Sequence, residues 1–473
     1  MCRDRSRAPS GTTRPGDRAH RPGHQHRVAA AVNGGVRRAA EPLPSSLWRN
    51  RDYNLWWSGT AVSALGTSVS GLAFPLLMLV STGSAEAAGL VGTCGSAGLV
   101  AGLLPAGVAG DRYSRRALLT GASLIQLVVM GAVCWSVVAG RVWLPLMAFL
   151  ALVQGLASAV FAGAAAPLVK RIVPGAQLKA AFARAEVRDH GAQLAGGPLG
   201  GTLFALARWA PFLADALSYA AVTLACLLIR TPMGPDPAER AARRVPLRRD
   251  LGAGLAFVRG VAFLRYALVW SALMNLLFTG IGFLFIVALR HRGASPSQIG
   301  AAEGIATACG LGGALACGWV VRRVSGHRLV RLVSWMLVLG VAGLVPLAAW
   351  PWAAGLCLGV SIVFVTPLNA VFGAAMVAVV PDAMTARVLT SVNMAVQSCV
   401  WLAPVLCGAL ADAFGVEVPL IGIAAGLAVL AVANHVVPAV SLLDGMGGEG
   451  MGEAGQDAGN GESRVDPDGR IAR

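Results

Sequence analysis

The 473-residue chain is 56% hydrophobic and 13% charged, with a mean hydropathy of +0.65, well outside the range of water-soluble globular domains. A net charge of +16 would suggest nucleic acid in a soluble protein, but in a membrane protein Lys and Arg collect at the cytoplasmic face, so no nucleic-acid partner is expected. Nine cysteines without a CxxC pair or a Cys/His cluster give no disulfide framework and no metal site, and no Gly-Lys-Ser/Thr loop points to ATP. No metal or cofactor is expected, and no ionisable cluster at depth suggests an enzyme.

Residues 1–45, rich in Arg, Pro, Gly and His, read as a disordered basic cytoplasmic tail with no apolar core of signal-peptide length. The folded part opens near Leu47-Trp48, where Trp48, Trp56 and Trp57 suit a membrane interface. A span needs about 20 apolar residues, and that rule gives twelve. Six lie near 55–80, 87–109, 117–139, 143–166, 185–206 and 211–230, and six more near 265–289, 298–321, 329–349, 352–379, 385–410 and 417–438. The expected organisation is a first bundle at 46–230, a polar cytoplasmic linker at 231–263, a second bundle at 264–440 and a disordered, Gly-rich tail at 441–473.

Charge orients the chain. With both ends cytoplasmic, the inner segments carry 32 Lys and Arg, and the outer loops only Arg141, Arg208, Arg290 and Arg292. The two halves also repeat. Asp111-Arg112 falls 211 residues before Arg322-Arg323, Pro174 falls 207 before Pro381, and Pro198 falls 206 before Pro404. A tandem six-helix repeat places a substrate site at the interface of its halves, near the midplane, with access alternating as one bundle rocks against the other.

Few ionisable groups lie within the spans. Asp215, about a turn inside the outer end of span six, and Glu303, near the outer start of span eight, are candidate proton sites; the alternative for each is a carboxylate that caps or pairs. Uncharged polar and aromatic side chains make the candidate substrate cavity: Gln126, Gln154, Trp270, Met274, Asn275, Phe278, Asn369, Asn393 and Gln397. Each amide must find a partner in hydrocarbon, either a ligand or a neighbouring helix. In span five, Gly191, Gly197, Pro198, Gly200 and Gly201 would let another backbone approach closely and would bend the helix.

Between spans two and three lies Gly107-Val108-Ala109-Gly110-Asp111-Arg112-Tyr113-Ser114-Arg115-Arg116. It resembles the signature loop of the major facilitator superfamily, matching at Gly107, Asp111, Arg112, Arg115 and Arg116, with Ser114 where that family usually has Gly. The resemblance implies an all-α membrane protein, twelve transmembrane helices in two pseudo-symmetric six-helix bundles, in which these residues form a cytoplasmic latch. The Gly-Pro run of span five is similar to the motif of the exporter branches. Stretches at Leu47–Tyr53, Ser63–Gly66, Ala166–Pro174 and Phe212–Tyr219 resemble the twelve-helix drug/proton antiporter branch that includes macrolide and siderophore exporters. Two positions depart from it: Thr67 follows Gly66 where an acid is frequent, and Ala151 stands where many proton-coupled exporters have Arg. The function implied is export of a small hydrophobic or amphipathic compound (drug, antibiotic or siderophore-like metabolite) across the plasma membrane, by a monomer, with protons as a candidate coupling ion. The alternatives are an uptake permease for a neutral nutrient and a non-transporting sensor.

Overall fold

The computed structural model describes residues 47–231 and 247–436. The expected tails at 1–45 and 441–473 and residues 232–246 of the linker lie outside the described residues. Every regular element among the described residues is helical. The first half holds α1 (Arg51–Thr82), α2 (Ala85–Arg112), α3 (Arg115–Val138), α4 (Leu144–Ile172), α5 (Leu178–Leu206) and α6 (Ala210–Leu228). A short helix, α7 (Leu247–Gly260), lies in the stretch read from sequence as polar linker. The second half holds α8 (Ala262–His291), α9 (Pro296–Arg323), α10 (Gly326–Leu347), α11 (Pro351–Ile362), α12 (Val365–Val379), α13 (Asp382–Val400), α14 (Ala403–Phe414) and α15 (Glu417–Val436).

Spans one to six are α1 to α6, and spans seven to nine and twelve are α8, α9, α10 and α15. Spans ten and eleven, expected as continuous, are each two helices. Proline lacks an N–H and its ring collides with the carbonyl four residues back. Pro367 and Pro404 thereby disturb Val363 and Val400, and the helices part at Val363-Phe364 and Trp401-Leu402. The groups left over find other partners: Trp401 Nε1 donates to the Ser398 carbonyl at 2.7 Å, and Val405 N–H donates to Thr93 Oγ1 at 3.2 Å. Pro198, the counterpart of Pro404 in the first half, sits inside an unbroken α5. Among the described residues, eleven stretches are long and apolar enough to cross a membrane. The twelfth crossing is α5, 29 residues long, whose first half carries Lys179, Arg184, Glu186, Arg188, Asp189 and His190.

Packing reproduces the repeat. In the first half α1 lies against α5 and α6, α2 against α4, and α3 against α4 and α6; in the second α8 lies against α13 and α14, α9 against α11 and α12, and α10 against α11 and α15. A buried polar pair sits at the same place in each half. Thr223 of α6 donates to Ser123 of α3 at 2.7 Å, and Asn434 of α15 donates to Ser334 of α10 at 2.9 Å; the members of each pair are 100 residues apart. Asn434 also accepts from Tyr266 of α8 at 2.5 Å, so it ties three helices.

The connections after odd-numbered spans gather at one end of the molecule, here the odd-loop face. Gly201 of α5 meets Pro296 of α9 there, and Arg292 pairs with Glu417 at 3.1 Å. The turns are short: α1 to α2 through Gly83 (φ 72°) and Ser84, and α14 to α15 through Gly415 (φ 85°) and Val416, each glycine holding a left-handed backbone that a side chain would strain. At the opposite, even-loop face, Asn50 donates to the Ile172 carbonyl at 2.8 Å, and Asp52 accepts from Thr231 N–H at 2.8 Å and Thr231 hydroxyl at 2.6 Å. These bonds tie the start of α1 to the ends of α4 and α6.

Interhelical hydrogen bonds within membranes contribute about 0.5–2 kcal/mol each. Asn434→Leu, which removes two, is expected to cost about 1–3 kcal/mol and to lower the unfolding temperature in detergent, and Ser123→Ala to cost about half as much. Equal melting of Asn434→Leu and wild type would show that the polar tie contributes nothing.

Candidate functional site

The glycines of α5 form two stripes, each with a four-residue step. Gly196 and Gly200 face α1: a Cβ at 196 would collide with Ser68, and one at 200 would lie 2.6 Å from the Val69 carbonyl oxygen. Gly197 and Gly201 face α9 of the other half, where a Cβ at 197 would lie 3.0 Å from the Gly300 carbonyl oxygen and one at 201 would strike that of Pro296. Gly300 and Gly304 reciprocate, the latter against Pro198, whose Cγ would be 2.6 Å from an added Cβ. Backbone thus touches backbone across the two halves, as the residue types required. Gly191, included with this set from sequence, has open space around it.

A second seam joins α2 to α14. Gly89 abuts the Pro404 carbonyl, Gly408 abuts that of Ala85, and Asp412 accepts from Ala85 N–H and Glu86 N–H, both at 2.9 Å, and from Ser84 Oγ at 2.6 Å. Both seams lie toward the odd-loop face.

The two candidate proton sites differ in kind. Asp215 is 0% exposed and enclosed within the first half, against Gly66 of α1. Its carboxylate accepts from Ser70 at 2.5 Å and Ser218 at 3.1 Å. Next to it Tyr219, 2% exposed, accepts from Gln154 Nε2 at 2.7 Å and shares a 3.0 Å hydrogen bond with Thr67. Asp215, Ser70, Ser218, Tyr219, Gln154 and Thr67 therefore bring α1, α4 and α6 into one polar region. Thr67, at the middle of α1, is its exposed edge. Glu303 instead lies in the seam between halves, its Oε2 3.2 Å from where a Cβ on Gly197 would sit, and that oxygen is buried with no hydrogen-bond partner.

The expected cavity residues do not form one set. Gln126, 4% exposed, donates to Ser158 at 2.9 Å and links α3 to α4. Gln154 uses its amide nitrogen on Tyr219 and leaves Oε1 buried without a partner. On α8, Trp270 and Met274 are buried, Trp270 stacking on Phe372 with ring centroids 4.8 Å apart and Nε1 unpartnered. Asn275 and Phe278 lie on the exposed side of that helix, Asn275 turning its amide to its own Ser271 carbonyl. Asn369 and Asn393 are exposed and Gln397 is half-buried. Of the expected latch, the side chains of Asp111 and Arg112 and the surroundings of Gly107 lie outside the described residues. Arg115 is buried, and Arg116 donates to the Ile229 carbonyl, capping the end of α6. Sequence reading missed the roles of Tyr219, Ser70, Asn434 and Asp412. Tyr219 and Asn434 are polar groups inside apolar runs and could have been flagged, whereas nothing local marks Asp412 as reaching a helix 328 residues away.

The profile of the Major Facilitator Superfamily matches residues 56–404. The chain belongs to this superfamily. No curated protein matches it in sequence. Among solved structures, its fold is similar to that of the nucleoside transporter NupG (TM-score 0.64, 14% identity, covering 81% of this chain and 98% of that one). It is also similar to a bacterial homologue of the iron transporter ferroportin in an inward-facing state (TM-score 0.62, 15% identity, 82% and 99%). A third is a bacterial homologue of the human lysosomal transporter Spinster, inward-facing and unoccupied (TM-score 0.58, 13% identity, 85% and 97%). At these identities the likeness shows the fold: α1 to α6 and α8 to α15 are the two bundles of a superfamily transporter, with α7 between them.

Because Asp215 is the acceptor for two serines, Asp215→Ala is expected to destabilise this transporter by about 2–4 kcal/mol, and the isosteric Asp215→Asn by less than half of that. Thermal unfolding in detergent measures both. Wild-type stability of Asp215→Ala would mean that the carboxylate is not a structural tie.

Proposed function

We propose that the protein is a secondary transporter that exports small hydrophobic or amphipathic compounds by alternating access, and that the structure is its inward-facing state. The observation that carries this reading is the pair of glycine seams, α5 on α9 and α2 on α14, both closed toward the odd-loop face. The charge distribution supports reading that face as the outer one. Two of the similar structures are described as inward-facing, which accords with an outer side sealed in this way. Export is favoured over uptake by the Gly-Pro run of α5, whose likeness to the exporter motif now has a mechanical meaning, since Gly197 and Gly201 are the seam. Thr67, the uncharged and exposed edge of the polar region, suits a ligand with a few hydrogen-bonding groups on a hydrophobic body. Uptake of a neutral nutrient is the second reading, favoured by the same lack of charge.

In this reading proton coupling belongs to Glu303 rather than Asp215. Opening the outer seam changes what surrounds Glu303, whose Oε2 has no partner, while Asp215 stays enclosed within one half. A group can couple to a conformational change only if the two states treat it differently.

The test is accumulation of a hydrophobic cationic dye in everted vesicles, with and without an imposed pH gradient. Wild type is expected to accumulate dye only with the gradient. Glu303→Gln should lose the gradient dependence but retain downhill flux, and Asp215→Asn should keep both. Gly201→Val, whose side chain cannot fit against the Pro296 carbonyl, should reduce flux at least roughly tenfold, because the outer seam cannot close. Absence of dye movement in wild type, together with inward flux of a neutral nutrient, would replace export with uptake. Gradient-driven accumulation that survives in Glu303→Gln would remove the coupling role from Glu303.

A further inference from the structure

The two seams are equivalent under the internal repeat but are finished differently at the odd-loop face. The first turn of a helix leaves backbone N–H groups without intrahelical partners. In α9 the cap is made locally: Gln298 N–H donates to Ser295 Oγ at 3.3 Å, and Gln298 Oε1 accepts from Ser295 N–H at 2.9 Å, a complete capping box. In α2 the cap is shared. Ser84 Oγ accepts only from Ala87 N–H, at 3.0 Å, and the N–H groups of Ala85 and Glu86 are taken by the Asp412 carboxylate from the other half, which also receives the Ser84 hydroxyl. At the offset that pairs Pro198 with Pro404, the counterpart of Asp412 on α5 is Leu206, exposed and without an acceptor. Below the carboxylate the seam continues antiparallel, Gly408 on Ala85 and then, four residues on along each helix, Pro404 on Gly89; Val405 N–H reaches Thr93, one further turn along α2.

We propose that Asp412 is a clasp that holds the outer α2/α14 seam shut, a positioning residue that sets how much of the protein is closed on that side. The clasp rests on the alternating-access reading, because it acts only if the two halves separate there. A carboxylate at a helix N-terminus gains from the aligned peptide dipoles as well as from the hydrogen bonds. Opening the seam exchanges all three hydrogen bonds for water, so the clasp favours the closed arrangement without touching substrate.

The experiment is single-molecule energy transfer in full-length protein in lipid nanodiscs, without substrate. Fluorophores are introduced through non-canonical amino acids at Arg141 and Ala349, exposed positions in the 3–4 and 9–10 turns of the two halves, away from the clasp. Asp412→Asn, isosteric but uncharged, and Ser84→Ala, which weakens the clasp from the other side, are both expected to raise the population with these turns far apart. The rise should be about tenfold for Asp412→Asn and smaller for Ser84→Ala. In an Asp412→Ala background, Ser84→Ala should add almost nothing, since one shared interaction cannot be lost twice. A wild type that samples two distances while Asp412→Asn and Ser84→Ala, melting as wild type does, sample them in unchanged proportion would overturn the clasp. A single unchanging distance in wild type and every variant would instead overturn alternating access itself.

Discussion

Inside a bilayer, helices gain nothing by hiding apolar surface from one another, because the lipid is equally apolar. What remains to hold them is close contact of backbone on backbone, and this requires positions without side chains. The organisation of the protein follows from where those positions lie. Gly196 and Gly200 fix α5 to its own half, and Gly197 and Gly201, one residue on, fix it to the other. Successive residues of one helix therefore serve opposite masters, and α5, with α2, is an element through which the first bundle meets the second. Polar side chains supplement this packing inside each half, as the Ser123–Thr223 and Ser334–Asn434 pairs do, and between the halves at Asp412 and Thr93 of the α2/α14 seam.

The contrast between the two buried carboxyls follows the same division. Asp215 has the partners a buried acid requires and belongs to the interior of one bundle. Glu303 has one oxygen without a partner and belongs to the surface along which bundles meet. A residue that is fully satisfied stabilises one arrangement; one left unsatisfied costs free energy there and gains from any arrangement that gives it a partner.

Much of the fold was legible in the sequence because its main signal is local. A run of apolar residues defines a crossing, and the chain-wide repeat shows in Pro174 and Pro381 or Pro198 and Pro404 without knowledge of any contact. What the sequence hid depends on partners. Pro198 and Pro404 look alike, yet one lies in a continuous helix and the other beside a break where Thr93 and Trp401 accommodate the disturbed backbone. The helix α7 was obscured by its arginines and glycines, although Leu251, Leu255 and Val258 recur at helical spacing. The candidate site was legible as a list of residue types and not as an arrangement. Nothing in Gln126 or Asn275 says that the first is spent on Ser158 and the second on its own backbone. A carboxylate near a span end, such as Asp412, is unremarkable until the helix it caps is known.

The turns at the odd-loop face carry a different consequence. Two residues, Gly83 and Ser84, join α1 to α2, and two, Gly415 and Val416, join α14 to α15; three join α5 to α6, Ala207 to Trp209. A protease needs several residues of extended chain, and an antibody or a fused tag needs a loop that can bulge from the surface. This side of the molecule offers them little more than the blunt ends of helices.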